Sequence, residues 1–516
     1  ISLQLKQNNL KSSSNKLIFK NTILLYFRLL ITISIALYTS RVVLDVLGID
    51  DFGLYNVVGG TVAIFSFFSA SLQSATQRFL MFELGKKNTK SYNKIFNANV
   101  QIYIIIAVLV FILAETIGLW YFSNKAKIPI ESYDTFLAVY QISIISYCVS
   151  ILRIPYVSGI IAEEKMNFYA YISIFESLVK LFFVVLLVFT TFDKIIFYSS
   201  TILLNVILIN FIYFFYCNTK KYELYSLDFK FNLVTVKPIV FFSGWRTLGA
   251  TSQMIEQNGI ILLINYFFSA STNASYAIAT QVNVAIGNLI HSFQQAYYPQ
   301  ITKRYASGDS EGLQSLILIS GKLSFFLICF IAVPILLNTE YLLNLWLKDI
   351  PFYSVGFTQL IVICSIIEVF SAPLWMLILS TGKIAKYQIY LSFITLILFF
   401  VGWILIINGY NPYSILIIKI LSSILILIYR FLLLKYYYTI HIKNYLIKSV
   451  LIPLSTFLLT FYFIHLLTKN KYDLESLIYS IVLELVFFPI VIYFTLSRSQ
   501  KIKLKDIILD KIYKKN

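Results

Sequence analysis

Residues 97–122 read NANVQIYIIIAVLVFILAETIGLWYF, an apolar run whose single charge is Glu115. A helix rises about 1.5 Å per residue, so the run is longer than the roughly 20 residues needed to cross a hydrocarbon core about 30 Å thick. Lys86, Lys87, Lys90 and Lys94 precede it, and a short polar loop follows. The same pattern recurs along the chain. Apolar stretches lie at 21–44, 54–80, 97–122, 135–160, 167–190, 194–216, 239–267, 274–300, 313–337, 354–380, 384–407, 412–436, 445–467 and 473–496. Backbone groups in lipid must pair within their own segment, so helix is the expected element throughout. The expectation is an all-α polytopic membrane protein with about 14 transmembrane helices.

Composition agrees. Of 516 residues, 59% are apolar and 13% charged, against about 25% charged in soluble domains, and mean hydropathy is +0.78. The net charge of +18 would suggest nucleic acid in a soluble chain. Here the basic residues gather in alternate loops, about 30 on one side against about 6 on the other, as membrane orientation requires. They read as topology plus contact with anionic membrane lipids, with no nucleic-acid partner. Both termini are expected in the cytosol, with Lys220, Lys221, Lys230, Lys501, Lys503 and Lys505 among the inside set.

Ile1 to Lys20 is polar and basic and reads as a cytosolic tail; the chain starts at Ile1 rather than Met, which leaves room for residues before it. The first apolar stretch lacks a small-residue cleavage site and is too long for a secretory signal. Cys148, Cys217, Cys329 and Cys364 lie in or beside spans with no CxxC spacing, and read as buried apolar side chains rather than disulfides or metal ligands. His291 and His465 have no second ligand at helical spacing, so no metal is expected. Nucleotide-binding and nucleophile-elbow motifs are absent. The longest external loop, Asn338 to Tyr353, has 16 residues and leaves no room for an external catalytic domain. A transporter is expected, not an enzyme, with no cofactor and with an H+ or Na+ gradient as the energy source.

The chain repeats itself. Ser71, Gln73 and Ala75 in SLQSA are matched by Ser292, Gln294 and Ala296 in SFQQA at an offset of 221 (292 less 71), which also carries Tyr55 onto Tyr276. An offset shorter by three brings Arg28 onto Arg246. An even number of helices per repeat gives two copies of one orientation, a common transporter plan. The reading divides the chain into a tail (1–20), an N-lobe (21–216), a linker (217–238), a C-lobe (239–436), two additional helices (437–496) and a basic tail (497–516).

Charges inside spans cost about 2.5–3.5 kcal/mol on insertion scales and mark pathways or partners. Arg28 and Arg246 lie two turns inside at equivalent positions with no acid at i±3 or i±4. Guanidinium groups bind phosphate or pyrophosphate bidentately, so these two, with Arg153 and Arg41, are the candidates for an anionic headgroup. Arg41 is also placed for a local pair with Asp45, and Glu176 with Lys180. Lys419 lies near enough to the outer surface to snorkel. Glu115 and Glu484 lie within a few turns of a helix end, where water reaches. Ser71, Gln73 and Gln77 in the second span and His291, Ser292, Gln294 and Gln295 in the eighth form polar stripes suited to sugar hydroxyls, or to hydrogen bonds between helices. Glu256 and Glu368 are the candidates for ion coupling.

The segment from Asn21 to Lys87 contains TSRVVLDVLGIDDFGLYNVVGG and SLQSATQRFLMFELG, with Leu47, Gly48, Asp51, Phe52, Gly53 and Tyr55 at a characteristic turn. It resembles the polysaccharide, O-antigen (Wzx-type) flippases of the multidrug, oligosaccharidyl-lipid and polysaccharide exporter superfamily. The resemblance implies a MATE-like fold of two six-helix lobes plus a C-terminal pair, in a bacterial inner membrane. It implies transfer of an undecaprenyl-pyrophosphate-linked oligosaccharide from the cytosolic to the periplasmic leaflet, beside the polysaccharide polymerase machinery. The alternatives are a multidrug exporter of the same superfamily, which would want a buried acid where Arg28 stands, a teichoic acid or peptidoglycan-precursor flippase, and a membrane polymerase or ligase.

Overall fold

The computed structural model describes residues 2–124, 133–220, 222–228, 230–347, 349–437, 442–468 and 474–495. Among these, helix is the dominant element and no strand occurs. The basic tail 497–516 lies outside the described residues, as do Lys221 and the loop edges flanking the last two predicted spans.

Helix α1 (Ser2–Gly85) holds the first two predicted spans and breaks at Gly48. The third span is α2 (Thr89–Leu113), a π-helical turn at Ala114–Gly118, and α3 (Leu119–Asn124). The fourth is α4 (Tyr133–Leu152) and α5 (Ile154–Ala162), separated where Pro155 cannot continue the backbone ladder. Then come α6 (Met166–Phe189), α7 (Lys194–Lys220), the short α8 (Tyr222–Tyr225), α9 (Leu233–Phe267) and α10 (Ala270–Ala306). The remainder is α11 (Ser310–Leu337), α12 (Thr339–Trp346), α13 (Ser354–Thr381), α14 (Ala385–Ile407), α15 (Tyr413–Tyr437), α16 (Ile442–Tyr445), α17 (Ile452–Thr468) and α18 (Leu474–Thr495). The longest predicted external loop thus folds as α12.

Every predicted stretch falls on a helix. Ten of these helical segments, among the described residues, are long and apolar enough to cross a membrane by length and composition. The second arm of α1, α9 and α10 are outside that set and carry Arg78, Arg246 and the Ser, Gln and His residues of the two polar stripes. In α18, also outside it, side chains are described only as far as Val486.

Loop side chains start the helices. Asn88 accepts from the Ser91 amide at 3.0 Å, Asp193 from Ile195 at 3.1 Å, and Asn411 from Tyr413 at 3.1 Å, each satisfying a donor that has no partner inside the helix. Large side chains on the outer faces stay exposed, among them Phe27 and Leu30 on α1, Phe182 on α6 and Phe211 on α7. Lipid supplies their solvent.

The chain forms two compact units. Unit 1 is Ile1–Ala250 with Gln295–Asp309 and Leu379–Ala385; unit 2 is Thr251–Gln294, Ser310–Ile378 and Lys386–Asn516. In unit 1 a core around Val43, Val58, Phe136, Tyr140 and Tyr198 joins α1, α4 and α7. In unit 2 a core around Ile260, Tyr276, Phe357 and Leu416 joins α9, α10, α13 and α15. Tyr55 and Tyr276, related by the sequence offset, meet an aromatic ring edge-on in their own units, Tyr198 at 5.0 Å and Phe357 at 6.1 Å.

Gly48 has φ 77° and ψ 177°, a region that side chains with a Cβ avoid, and a Cβ there would meet nothing within 4 Å. The penalty for substitution is therefore conformational. Gly48→Ala is expected to destabilise the protein by about 1–3 kcal/mol, whereas Gly244→Ala, inside α9 and equally uncrowded, is expected to be neutral or slightly stabilising. Thermal unfolding of the detergent-solubilised protein separates the two.

Candidate functional site

The arginines singled out in the sequence all belong to unit 1. Arg28, on the first arm of α1, is half-buried. Its Nη1 donates to the Tyr169 hydroxyl of α6 at 2.9 Å, and the guanidinium lies 4.9 Å from the centre of the Tyr169 ring. Its Nε is buried with no hydrogen-bond acceptor. A neutral phenol thus holds this cation, and one of its donors points at nothing.

Arg153, at the junction of α4 and α5, donates to Glu176 of α6 at 3.0 Å and lies 5.9 Å from the Tyr213 ring of α7. Glu176 was expected to pair along its own helix with Lys180. The carboxylate instead turns across to α4–α5, and Lys180 stays on the exposed face of α6. Arg41 makes the local pair with Asp45 at 4.0 Å, with the two side chains 83% and 69% exposed. Thirteen residues of helix, about 20 Å at 1.5 Å per residue, separate it from Arg28.

Arg246, half-buried on α9, lies within electrostatic reach of Tyr298 on α10, as does a residue that sequence reasoning passed over, Arg78. Arg78 is buried near the end of α1. Its Nε and Nη2 donate to the Ser380 carbonyl at 3.2 and 3.1 Å. The Phe79 and Phe82 rings stack on it at 4.6 Å each, and Phe242 stands at 6.0 Å. Gly382, with φ 77°, comes so close that a Cβ would sit 2.6 Å from Nη2. The signal available was an arginine directly after SLQSATQ with phenylalanines at i+1 and i+4, the pattern of a guanidinium sheathed by rings.

The polar stripe of the second span divides. Ser69 bonds Tyr147 at 2.7 Å, and Thr76 donates to Asn99 at 2.7 Å, so part of it ties α1 to α4 and α2. Ser71 is buried, while Gln73 and Gln77 are half-buried. In the eighth span His291 is exposed, Ser292 is buried and donates to its own helix at Asn288, and Gln294 and Gln295 are half-buried; Gln295 alone of these belongs to unit 1.

One end of unit 1 is bolted by polar contacts. Glu164, at φ 63° between α5 and α6, accepts from Lys303 and Gln300 of α10. Thr302 and Ser380 share a hydrogen bond at 2.8 Å. At Gly85 the α1 backbone approaches α10 so closely that a Cβ would lie 2.6 Å from the Lys303 carbonyl. Next to Glu164, Glu163 accepts from Lys165 at 3.0 Å and from Tyr225 at 2.6 Å. Burial pushes the Tyr225 hydroxyl well above its usual pKa, which keeps it a donor. Burial alone would pull the Lys165 ammonium down, but the Glu163 carboxylate more than offsets it, and the net shift is upward.

Unit 2 gathers the two acids proposed for ion coupling. Glu256 on α9 and Glu368 on α13 interact electrostatically with each other and with Lys419 on α15. Lys419 is half-buried, within electrostatic reach of both carboxylates, rather than extended to the surface. Cys364 lies 3.8 Å from Glu368 and 3.3 Å from Ser423, and Ser365 donates to Asn283 at 2.7 Å. Glu115, in the π turn of unit 1, accepts from Gln141 at 3.1 Å. Glu484, expected near water, is fully buried.

The Glu164–Lys303 pair makes a direct prediction. Glu164→Lys alone leaves two cations facing each other in a largely buried place and is expected to cost about 3 kcal/mol or more. Adding Lys303→Glu restores opposite charges and should recover most of the loss, measured as thermal stability of purified protein and as yield in the membrane.

Residues 18–304, more than half of the chain, match the family described as polysaccharide biosynthesis protein. No curated protein matches the chain. Solved structures that share its fold include a multidrug resistance MATE family transporter of the MOP superfamily in an outward-facing conformation, with 13% identity, TM-score 0.71, and 82% of this chain and 95% of that one covered. A MATE in the bent conformation has 14% identity and TM-score 0.71, with 83% and 96% covered. A MOP superfamily transporter from Pyrococcus furiosus has 13% identity and TM-score 0.66, with 81% and 95% covered. The chain belongs to the polysaccharide biosynthesis protein family, and is a multi-pass membrane protein with a MATE-like fold.

Proposed function

We propose that the protein is a flippase that moves undecaprenyl-pyrophosphate-linked oligosaccharide, an O-antigen or capsule repeat unit, from the cytosolic to the periplasmic leaflet by alternating access. The observation that carries this reading is Arg28. It is a half-buried guanidinium inside a span, held by a phenol rather than a carboxylate, with a buried Nε that lacks an acceptor. An anion is the ligand such a group lacks, and a pyrophosphate offers the paired oxygens that a guanidinium binds best. Arg246 and Arg78 add positive charge in the same unit, while Arg153 positions Glu176 and contributes less net charge.

The membrane is the bacterial inner membrane, with both termini in the cytosol. Gln73, Gln77, Gln294, Gln295 and His291 are the groups available to sugar hydroxyls. The Glu164–Lys303 pair and the Arg78–Ser380 bonds act as the cytosolic closure. An H+ or Na+ gradient drives the cycle, with Glu256 and Glu368 as coupling acids whose charge Lys419 partly offsets. The glycan then passes to the polysaccharide polymerase machinery. A drug-exporting relative would place an acid where Arg28 stands, because its cargo is cationic.

Arg28→Ala removes charge-assisted hydrogen bonds worth about 1.5–3 kcal/mol, so surface polysaccharide is expected to fall about tenfold or more at unchanged protein level, and Arg28→Lys to recover only part. Arg246→Ala should behave likewise. Full complementation by both alanine variants would sink the headgroup assignment. A deletion strain that keeps its polysaccharide and becomes drug-sensitive would replace the reading with multidrug export.

A further inference from the structure

Glu484 is the charge that none of the preceding roles uses. It lies ten residues into α18, about 15 Å from the first residue Leu474 at 1.5 Å per residue, and so near the middle of the bilayer. It is fully buried, and neither carboxyl oxygen has a hydrogen-bond partner among the described residues. α18 packs against α11 and α17. The titratable groups on these neighbouring elements and on the described part of α18 are Glu311, Lys322 and Cys329 of α11, Tyr462 and His465 of α17, Lys448 in the π turn before α17, and Glu475 and Tyr479 of α18. Cys329 lies within electrostatic reach of Glu484.

An ionised carboxylate in this setting would have no hydrogen bond and no counter-charge in contact, an arrangement that costs many kcal/mol in a low dielectric. A neutral acid loses far less. A sodium ion is disfavoured as well, because a hard cation needs several oxygen ligands and, among the described residues, no group of three or more acidic, His or Cys side chains gathers here.

The interface does offer a route for a proton. Ser476, Ser480 and Glu484 are spaced i, i+4, i+8 and share one face of α18, all of them buried. Ser476 donates to the Asn338 side-chain carbonyl at 2.5 Å, and the Asn338 amide donates to Ser480 at 3.3 Å. Asn338 sits just past the end of α11, on the external side by loop charge. A ladder of hydroxyl and amide groups therefore runs from that end to within one helical turn of Glu484.

We propose that Glu484 is a proton-carrying site, loaded and unloaded along Ser480, Ser476 and Asn338 between α11 and α18. It is a second titrating centre, separate from Glu256 and Glu368. Its role in coupling rests on the transport reading; its protonation does not.

The test uses the full-length protein in lipid nanodiscs and dicyclohexylcarbodiimide, an apolar reagent that adds to protonated carboxyls. Mass spectrometry of the peptides reads the adduct. An ordinary glutamate, with a pKa of about 4.3, is protonated less than one time in a hundred at pH 7, so the yield at Glu484 should exceed that at exposed Glu475 by at least about tenfold. Asn338→Leu, which cuts the ladder without touching Glu484, should leave the yield intact while slowing proton release after an alkaline jump.

In cells, Glu484→Gln keeps the neutral shape and should make polysaccharide output independent of external pH, while Glu484→Asp keeps the dependence. The proposal is overturned if Glu484 stays unlabelled while Glu475 reacts, if sodium ions protect Glu484 from the reagent, or if Glu484→Gln cells respond to external pH as the wild type does. Labelling at Glu484 in a protein that then proves to move another cargo would retain the site and discard the flippase reading.

Discussion

Hydrocarbon offers no hydrogen bonds, and that single constraint arranges this protein. Every backbone amide within a span must find its partner in the same helix, so a chain this apolar becomes helix almost throughout. The exceptions sit where side chains or glycine make up the difference. Gly48 takes a conformation open to few other residues, and the π turn at Ala114–Gly118 is held by the Tyr140 hydroxyl on the Ala114 carbonyl at 2.8 Å. Pro155 opens a helix rather than interrupting one.

The same constraint sorts the charges by what each is given in place of water. Arg153 receives a carboxylate, which neutralises it and fixes α4–α5 against α6. Arg78 receives a backbone carbonyl and aromatic faces, which accept its hydrogen bonds without cancelling its charge. Arg28 receives a phenol and keeps both its charge and an unused donor. Lys419 receives two acids in its neighbourhood, and Glu484 receives nothing. This series runs from structural to available, and the residues proposed to meet cargo or protons are those at its less satisfied end.

Helix positions were legible in the sequence because length and hydropathy alone determine them; the burial of Glu484 and Arg78 was not. Partners were not. Arg28 meets a residue 141 positions away, Glu164 one 139 away, and Arg78 a carbonyl 302 away, and nothing local encodes such meetings. Where a local rule was available it misled: Glu176 has a lysine at i+4 yet bonds Arg153, because a lysine on the lipid-exposed face can extend toward the interface while an arginine wedged between helices cannot. Arg78 stands near the end of a predicted span, and only the packing of Phe79, Phe82 and Phe242 around it reveals an interior residue.

In the proposed cycle a closure has to be specific without being deep, and the Glu164–Lys303 contact meets that condition. A largely buried ion pair gains little net free energy over separated, hydrated ions, because desolvation offsets most of the Coulomb attraction. It nevertheless penalises any arrangement that buries one partner alone. Glu164 with Lys303 therefore defines one closed geometry sharply and still gives way to water at small net cost. The close backbone approach at Gly85 acts in the same sense, since dispersion between touching helices falls off steeply once they part. A two-state equilibrium that ligand or proton must reverse needs a gap of only a few kcal/mol. A cluster of strong, fully satisfied bonds at this end would oppose the opening that the proposed cycle requires.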